Sequence, residues 1–440
     1  MSSTNPSTSS ILIIGCGTWG ASTALWLARS GYKNVTVLDP YPVPSAISAG
    51  NDVNKIAEGR ARKPFEEFNG PEAERLWTYN EIRADATETW LSDPLFKDYY
   101  HETGYILAAS DPKNVEILLR EEQPTPENGF REVNTAAEFR KLMPEGVLTG
   151  DFPNWKGWSK AEGAGWCHAR KALVAAATEA ERQGVKIAKS KVTSLLVEEG
   201  DVKGANTEDG KEWRADRTIL CAGANAPQII DMKDQLRPTA WTLAHIAMTE
   251  EECKLYKNLP VLFNMERGFF MEPDEERHEL KICDEHPGYT NFSTINGAKS
   301  SVPFSRHQIP LESEQGVRQF LRETMPQLAD RPFSFARICW CADTVNRDFL
   351  ISAHPDYPSL TLGLGASGHG FMHIPVVGKY IVQCLEGKLD PKMQRSWRWR
   401  PETAVNRDWE ALQGRGGGPN KLRDFGAIAD DQWTKLPARL

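Results

Sequence analysis

The sequence predicts an α/β protein of two domains, one built on a parallel, doubly wound sheet and a second, α+β domain built on a mostly antiparallel sheet. An apolar run at residues 11–14 is followed by a glycine-rich turn, a stretch of helical period and a second apolar run at 35–38. Such runs joined by a helix are typical of parallel strands buried on both faces. Two further α/β stretches begin near residues 169 and 349, and residues 236–283 between them alternate as antiparallel strands do.

The parallel domain is therefore expected to be assembled from separated segments. We assign it residues 11–90, 160–235 and 335–390, and the second domain residues 91–159 and 236–334. Residues 1–10 are rich in Ser and Thr and are expected to form a disordered leader, and residues 391–440 to pack on the active site. Helical period predicts helices over residues 71–91, 111–142, 172–183 and 376–385. Short apolar runs predict strands at residues 185–188, 192–197 and 202–206.

Composition excludes several classes of protein. The 440 residues carry 52 basic and 60 acidic side chains, a net charge of −8, which disfavours nucleic acid as a partner. No apolar run approaches the roughly 20 residues of a bilayer-spanning helix, so no membrane association is expected. The eight cysteines form no C-x-x-C pair or zinc-ligand spacing, so we expect a reducing compartment and no metal site.

The first glycine-rich turn carries a G-x-G-x-x-G motif at Gly15, Gly17 and Gly20, between a predicted strand and a predicted helix. In this context the glycines allow a tight turn, close approach of a pyrophosphate, and packing of the helix on the strand. Asp39 ends the next strand, where an acid binds a ribose hydroxyl. The motif predicts a Rossmann-like dinucleotide site. The alternatives are a glycine turn without ligand and an Asp39 that only caps its strand.

The ribose-binding acid favours FAD or NAD over NADP. The motif lies at the N terminus, and the rest of its domain returns in two later pieces around a β-rich insert. This arrangement favours FAD. The second glycine-rich loop, residues 363–370, is then expected to wrap the cofactor with backbone N–H groups.

Several segments carry a resemblance to a known family. The Gly15 motif and three later segments resemble the sarcosine oxidase-like amine oxidases: Ala222-Gly-Ala224, Cys339-Trp-Cys341 and Gly365-Ala-Ser-Gly-His-Gly-Phe371. Three more segments resemble, more closely, the fungal fructosyl amino acid oxidases, also called amadoriases or fructosyl peptide oxidases: Ser48-Ala-Gly-Asn-Asp52 with Lys55, Leu280-Lys-Ile-Cys-Asp-Glu-His-Pro-Gly288, and Arg415-Gly-Gly-Gly-Pro419. The resemblance runs from Ile11 to Leu440.

The resemblance implies an FAD-dependent oxidase acting on CH–NH bonds with oxygen as acceptor. Its expected substrates are Amadori products, the ketoamines formed from glucose and an amine. A hydride would pass to the flavin, the imine would hydrolyse to glucosone and the free amino acid, and oxygen would reoxidise the flavin to give hydrogen peroxide.

The resemblance also assigns residues. Lys281 matches the lysine that promotes the reaction with oxygen, and Lys55 a basic residue that shares a water with it. Cys339 matches the cysteine that carries the flavin through a thioether, with Cys341 as the alternative. The residues expected to bind the cofactor are Gly15, Gly17, Thr18, Trp19, Gly20, Asp39, Ser48, Lys55, Cys339, Gly368, His369, Gly370, Phe371 and Met372.

Glu285 and Arg415 are expected to hold the amino acid portion of the substrate, since an Arg fork matches a carboxylate. Asp284 is the alternative acid. Arg62, in the basic run at residues 60–63, is expected to meet a carboxylate at the entrance, although such a run is equally well explained as a solvated face.

Met372 stands where simple sarcosine oxidases have a lysine that binds the substrate carboxylate. Its presence disfavours a small N-methyl amino acid and leaves room for a bulkier substrate. Two alternatives are a sarcosine- or pipecolate-type oxidase and a non-catalytic nucleotide-binding protein.

The C-terminal Ala438-Arg439-Leu440 is of the same kind as a peroxisomal targeting tripeptide. We therefore expect recognition by the peroxisomal import receptor and a peroxisomal location, with the cytoplasm as the alternative. The family resemblance and the absence of a heptad pattern favour a monomer.

Overall fold

The computed structural model describes residues 5–58, 70–295, 297–409 and 422–435. Its α-helices are α1 (Thr18–Arg29), α2 (Gly70–Ser92), α3 (Pro112–Glu121), α4 (Ala136–Arg140), α5 (Ala169–Arg182), α6 (Glu250–Leu255), α7 (Leu311–Thr324), α8 (Val377–Leu385) and α9 (Pro391–Ser396). Its strands up to residue 220 are β1 (Ser10–Ile14), β2 (Asn34–Asp39), β3 (Lys55–Glu58), β4 (Tyr100–His101), β5 (Tyr105–Ala109), β6 (Arg131–Val133), β7 (Lys156–Lys160), β8 (Ala164–Cys167), β9 (Lys186–Lys189), β10 (Val192–Glu198), β11 (Asp201–Thr207), β12 (Glu212–Arg214) and β13 (Arg217–Leu220). The later strands are β14 (Leu236–Ala247), β15 (Val261–Asn264), β16 (Gly268–Phe270), β17 (Glu279–Thr290), β18 (Phe292–Ile295), β19 (Ala298–Ser301), β20 (Phe333–Thr344), β21 (Leu350–Ala353), β22 (Leu360–Leu364) and β23 (Arg423–Asp424).

A six-stranded sheet in the order β21-β22-β13-β1-β2-β9 forms the parallel half of the molecule. Every pair in it is parallel except β21–β22 at the edge. Its central strands β1, β13 and β22 are almost entirely buried, because helices α1, α5 and α8 cover one face of the sheet and further apolar residues cover the other. The sheet draws its strands from three separated parts of the chain, and the predicted α/β fold class is confirmed.

A second, larger sheet runs in the order β20-β14-β17-β16-β15-β5-β7-β6, with β23 paired to β17. Its long strand β14 pairs antiparallel with β17 on one side and with the edge strand β20 on the other. One face packs on α7, where Ile282 and Phe270 contact Phe320 and its neighbours. The boundary predicted at residue 335 falls inside β20, which pairs with β14 along its length, and the strands of the parallel sheet resume only at Leu350.

The helix predicted over residues 111–142 is wrong beyond Glu121. The chain instead forms the short strand β6 and the short helix α4. Pro124, Pro126 and Gly129 interrupt the helical period, and pairing of β6 with β7 extends the large sheet. The two prolines and the glycine thus end the helical segment, and pairing with β7 sets the strand conformation of β6.

Three small sheets complete the fold: β3-β8-β4, β10-β11-β12 and β18-β19. The helices predicted at 71–91, 172–183 and 376–385 correspond to α2, α5 and α8. Within the residues described, no helix combines the length and the apolar character needed to cross a bilayer.

Candidate active site

A single continuous cavity of about 1540 Å³ lies between the parallel sheet and the large sheet. Most of the predicted site residues line it: Gly15, Gly17, Thr18, Trp19, Asp39, Ser48, Lys55, Glu285, Cys339, Gly368, His369, Gly370, Phe371 and Met372. Two others, Gly20 and Lys281, are buried behind its wall. Arg62 and Arg415 lie outside the described residues, as do the rest of the basic run at 60–63 and the C-terminal tripeptide.

The glycine loop joins β1 to α1 at one end of the cavity. Gly15 has φ +99°, and a Cβ there would lie 2.6 Å from the backbone oxygen of Cys221. A Cβ on Gly20 would lie 1.8 Å from the backbone oxygen of Gly15. These two glycines are therefore required by the packing of strand on helix, as the motif predicts.

The N terminus of α1 faces this end of the cavity without a side-chain cap. Gly17 is the N-cap residue, no side chain accepts from the first backbone N–H groups, and the first turn holds no acid. Free N–H groups and the helix dipole together favour an anion such as a pyrophosphate. The residues present thus fit the phosphate portion of a dinucleotide.

Asp39 is buried at the end of β2. Its carboxylate accepts hydrogen bonds from the backbone N–H groups of Cys16, at 2.8 Å, and Tyr41, at 3.0 Å. It therefore braces the glycine loop, as the capping interpretation predicts, and it also lines the cavity. Its contact with a ribose hydroxyl stays a prediction.

The second glycine-rich loop follows β22 and lies against α1 and α2. Trp19 Nε1 donates to the backbone oxygen of Gly370 at 3.2 Å, and Trp90 Nε1 donates to that of Met372 at 2.7 Å. Burial, with the nearby Arg347, holds the pKa of His369 well below its usual range. His369 is therefore a neutral ring at neutral pH, and the loop presents backbone and neutral side chains to the cavity.

The two predicted lysines converge on one carboxylate. Asp52 Oδ2 accepts from Lys55 Nζ at 2.6 Å and from Lys281 Nζ at 2.8 Å, and Arg337 Nη2 lies 3.8 Å away. Lys281 Nζ also donates to the backbone oxygen of Asn54 at 2.7 Å. Asp52 and Lys281 are each 2% exposed and are shielded from solvent, whereas the side chain of Lys55 is 21% exposed and lines the cavity.

Electrostatics in this cluster favour the charged forms. Burial opposes ionisation of Asp52, but Lys281 and then Lys55 outweigh burial and hold the pKa of Asp52 well below its usual range. Burial likewise opposes protonation of Lys55, but the Asp52 carboxylate, with smaller contributions from Cys339 and Cys283, raises the pKa of Lys55. The site therefore carries fixed positive charge beside the cavity, suited to stabilising negative charge that develops there.

Sequence reasoning missed Asp52 as a site residue. It lies in the segment that carries the family resemblance and three positions before Lys55, but its second partner is 229 residues away in the chain. Only the i, i+3 spacing of Asp52 and Lys55 was available as a signal.

Cys339 and Cys341 lie on the same side of β20, and both line the cavity. Trp340 between them points to the opposite side, into a cluster with Tyr289 and Phe425. Lys55 lines the same cavity as the two cysteines. The geometry thus agrees with Cys339 as the attachment site but does not exclude Cys341, and the assignment stays a prediction.

Glu285 and Asp284 both lie on β17, are buried, and line the cavity. Asp284 packs against helix α7: a Cβ on Gly316 would lie 3.1 Å from its Oδ1. Glu285 begins a bulge, since Asp284 pairs with Thr242 while Tyr289 pairs with Ala240. The bulge locally departs from regular strand geometry and leaves Glu285 beside the cavity.

The shape of the cavity fits FAD as a whole. One end has the uncapped helix N terminus and Asp39, which suit the diphosphate and ribose. The other end has the two cavity-lining cysteines, the lysine cluster and Glu285, which suit a redox-active ring and a polar substrate. Among the residues described, no group of three or more His, Cys, Asp or Glu is arranged to hold a metal ion.

Comparisons with known proteins agree with this geometry. Residues 10–384 match the family described as FAD dependent oxidoreductase. The chain is 52% identical to amadoriase I of Aspergillus fumigatus, covering 99% of both chains with a TM-score of 0.94. It is 55% identical to the deglycating enzyme fructosamine oxidase (amadoriase II) of the same organism, covering 99% of both chains with a TM-score of 0.93.

A more distant relative is the L-saccharopine oxidase of Schizosaccharomyces pombe, 28% identical over 417 residues, which are 89% of this chain and 93% of that protein. The matches to the two amadoriases extend over nearly the entire chain, and they confirm the resemblance read from the sequence. The chain therefore belongs to the FAD-dependent oxidoreductase family and, within it, to the amadoriases.

Proposed function

We propose that this enzyme oxidatively deglycates fructosyl amino acids, releasing glucosone, the free amino acid and hydrogen peroxide. The observation that carries the proposal is the single cavity that joins the dinucleotide loop to Glu285 and the lysine cluster. The likeness to two deglycating amadoriases at more than half identity supports the same substrate class. Met372, in place of the lysine of simple sarcosine oxidases, supports a bulkier substrate than sarcosine.

Bound FAD would accept a hydride from the C–N unit of the substrate and pass the electrons to oxygen. The chain's own residues position the reactants. Glu285 would hold the ammonium or sugar hydroxyls of the substrate, and Arg415 its carboxylate. No general base is required where the amine is deprotonated before or on binding, so catalysis rests on orientation in the cavity. Lys281 and Lys55 would stabilise negative charge during the reaction with oxygen.

We further propose that Cys339 carries the flavin through a thioether. Its position on the wall of the cavity that Lys55 also lines supports the assignment. The enzyme is proposed to act as a monomer. Ala438-Arg439-Leu440, if it ends the mature chain, supports import into peroxisomes, where hydrogen peroxide is contained.

The test is an anaerobic titration of the purified yellow protein with fructosyl valine, ε-fructosyl lysine and sarcosine. Bleaching of the visible flavin band by a fructosyl compound, with glucosone as product, supports the proposal. Bleaching by sarcosine alone would favour an N-alkyl amino acid oxidase, and stable colour with every amine would favour a non-catalytic protein.

A further inference from the structure

A buried histidine lies directly beside Lys281 on the large sheet. Strand register pairs His245 of β14 with Lys281 of β17, and the two residues are 3% and 2% exposed. Two positions along the same strands, Leu243 pairs with Cys283, and both of these residues line the cavity. Because side chains alternate between the two faces of a strand, His245 and Lys281 lie on the same face as this pair. Directly paired residues have Cβ atoms about 5 Å apart, so the polar ends of the two side chains can share one water molecule.

A carboxylate sets the hydrogen position on the His245 ring. Nδ1 lies 2.9 Å from Glu279 Oε2, and Glu279 Oε1 accepts from Ser334 Oγ at 2.8 Å. Burial, with a smaller contribution from Lys281, lowers the pKa of His245 although Glu279 and Asp52 oppose the shift, so the ring is neutral at neutral pH. A neutral imidazole carries one ring hydrogen, and a carboxylate only accepts. The hydrogen therefore lies on Nδ1, and Nε2 is an acceptor.

Two groups of complementary hydrogen-bonding character meet at this point of the sheet. Nε2 of His245 is buried and has no hydrogen-bond partner in the described part of the chain. The Lys281 ammonium has three N–H groups, of which one donates to Asp52 and one to the backbone oxygen of Asn54. Among the residues described, the third has no acceptor. A buried acceptor and a buried donor on directly paired residues are the partners that a single buried water satisfies.

We propose that His245 is a positioning residue for Lys281 and acts through one buried water, which donates to Nε2 and accepts from the lysine ammonium. The inference rests on the role proposed for Lys281 in the reaction with oxygen. Asp52 and Asn54 both belong to the loop before β3, so on their own they hold the ammonium from one side. The water holds it from the side of β14, and a charge fixed in advance stabilises developing negative charge best. Glu279 contributes by keeping the His245 hydrogen on Nδ1.

Two substitutions separate this role from a purely structural one. In His245→Gln, the side-chain oxygen reaches the position of Nε2 and can accept from the water, while the contact with Glu279 is lost. In His245→Asn, the shorter amide reaches the position of Nδ1 and keeps Glu279 as its partner, but nothing accepts at the position of Nε2. His354→Gln is the matched control. His354 is also a buried histidine, packs against the rings of Tyr357 and Trp399, and lies away from the cavity.

Stopped-flow absorbance measures the two half-reactions separately, as anaerobic reduction by fructosyl valine and as reoxidation by oxygen of enzyme reduced by light in the presence of EDTA. In His245→Asn we expect the rate constant with oxygen to fall roughly tenfold or more, as for loss of a hydrogen bond to a charged group. The rate of anaerobic reduction should stay within about twofold of wild type. His245→Gln should recover most of the rate with oxygen, and His354→Gln should change neither half-reaction.

Two further measurements do not depend on turnover. A crystal structure of the enzyme should show a water within hydrogen-bond distance of both His245 Nε2 and Lys281 Nζ. Nitrogen-15 NMR of histidine-labelled enzyme should show a neutral ring with its hydrogen on Nδ1, assigned to His245 by the signal that disappears in His245→Gln.

An unchanged rate with oxygen in His245→Asn would overturn the inference, as would a rate restored by asparagine but not by glutamine, because only the contact with Glu279 would then matter. A crystal structure with no water between the two nitrogens would overturn it as well. A wild type that no fructosyl amino acid reduces contradicts the proposed function instead. The reaction of the light-reduced enzyme with oxygen, the crystallographic water and the NMR signal then still test the role of His245.

Discussion

Replacing Asp52 with asparagine removes the carboxylate that Lys55 and Lys281 share. Burial lowers the pKa of Lys55, and in the wild type the Asp52 carboxylate outweighs burial and raises it. At an effective dielectric constant of 20, a unit charge about 4 Å away contributes about 4 kcal/mol, equivalent to a pKa change of about 3. In Asp52→Asn we therefore expect the pKa of Lys55 to fall below its ordinary value, because burial is no longer opposed by the carboxylate.

The assay is oxygen uptake at saturating fructosyl valine, with oxygen varied, between pH 6 and 9.5. The wild type should show a flat kcat/KM for oxygen over this range. The kcat/KM for oxygen of Asp52→Asn should be closest to the wild-type value at pH 6. It should fall as the pH rises, because the neutral lysine no longer stabilises developing negative charge. Cys283 does not titrate in this window, because burial raises its pKa to about 12.

Thermal unfolding supplies an independent measurement with a defined sign. In Asp52→Asn, Lys55 has a lower pKa in the folded than in the unfolded state, so the unfolded chain binds more protons and stability rises with pH between those two pKa values. The gap in Tm between variant and wild type should therefore narrow from pH 7 to pH 10. Asp231→Asn, which removes a surface ion pair with Lys233, is the control and should show no pH-dependent gap. Superimposable profiles for Asp52→Asn and wild type in both measurements would refute the reasoning.

Three further predictions concern the cofactor and the substrate. Cys339→Ser should release its flavin into the supernatant on acid precipitation, whereas Cys341→Ser should keep it in the pellet, and the reverse result would move the attachment to Cys341. Glu285→Gln should raise the KM for fructosyl valine roughly tenfold or more, as expected for loss of a charge-assisted hydrogen bond, and an unchanged KM in steady-state assays would remove Glu285 from the substrate site. Gly20→Ala places a Cβ 1.8 Å from a backbone oxygen and should yield protein without flavin absorbance. Gly31→Ala has nothing within 4 Å but a φ of +86°, so it should lose some stability and stay yellow.

Features that depend on local sequence were predictable. The glycine loop, the strand before it and helix α1 follow from residues within one short stretch, because turn geometry and helix packing act over a few positions. The same holds for Cys339 and Cys341, whose spacing alone places them on one side of a strand. Their roles came from family resemblance rather than from this pattern.

Features that depend on contacts between residues distant in the chain were not predictable from the sequence. Pro124, Pro126 and Gly129 were local signals for the end of α3, but the strand β6 that follows depends on its pairing with β7, which the local pattern does not show. The position of Lys281 between Leu280 and Ile282 predicts that it lies on the opposite face of β17 from these two neighbours, but not which residue it meets there. That partner, Asp52, comes from a loop whose sequence has neither helical nor strand period.

The loop that carries Asp52 explains why the site depends on both halves of the molecule. On the side of the parallel sheet, the Asn51 side chain accepts from Arg170 Nε at 2.8 Å. On the side of the large sheet, Asn54 Nδ2 donates to the backbone oxygen of Glu272 at 3.0 Å, and the Asn54 backbone oxygen accepts from Lys281. The loop is therefore held on one side by helix α5, which covers the parallel sheet, and on the other by Lys281 of the large sheet. The position of Asp52 between them follows from the way the two halves dock. The cluster of Asp52, Lys55 and Lys281 therefore forms only when the two halves are docked. Substitutions at the contact between the halves should lower the rate of the reaction with oxygen even where they touch neither lysine.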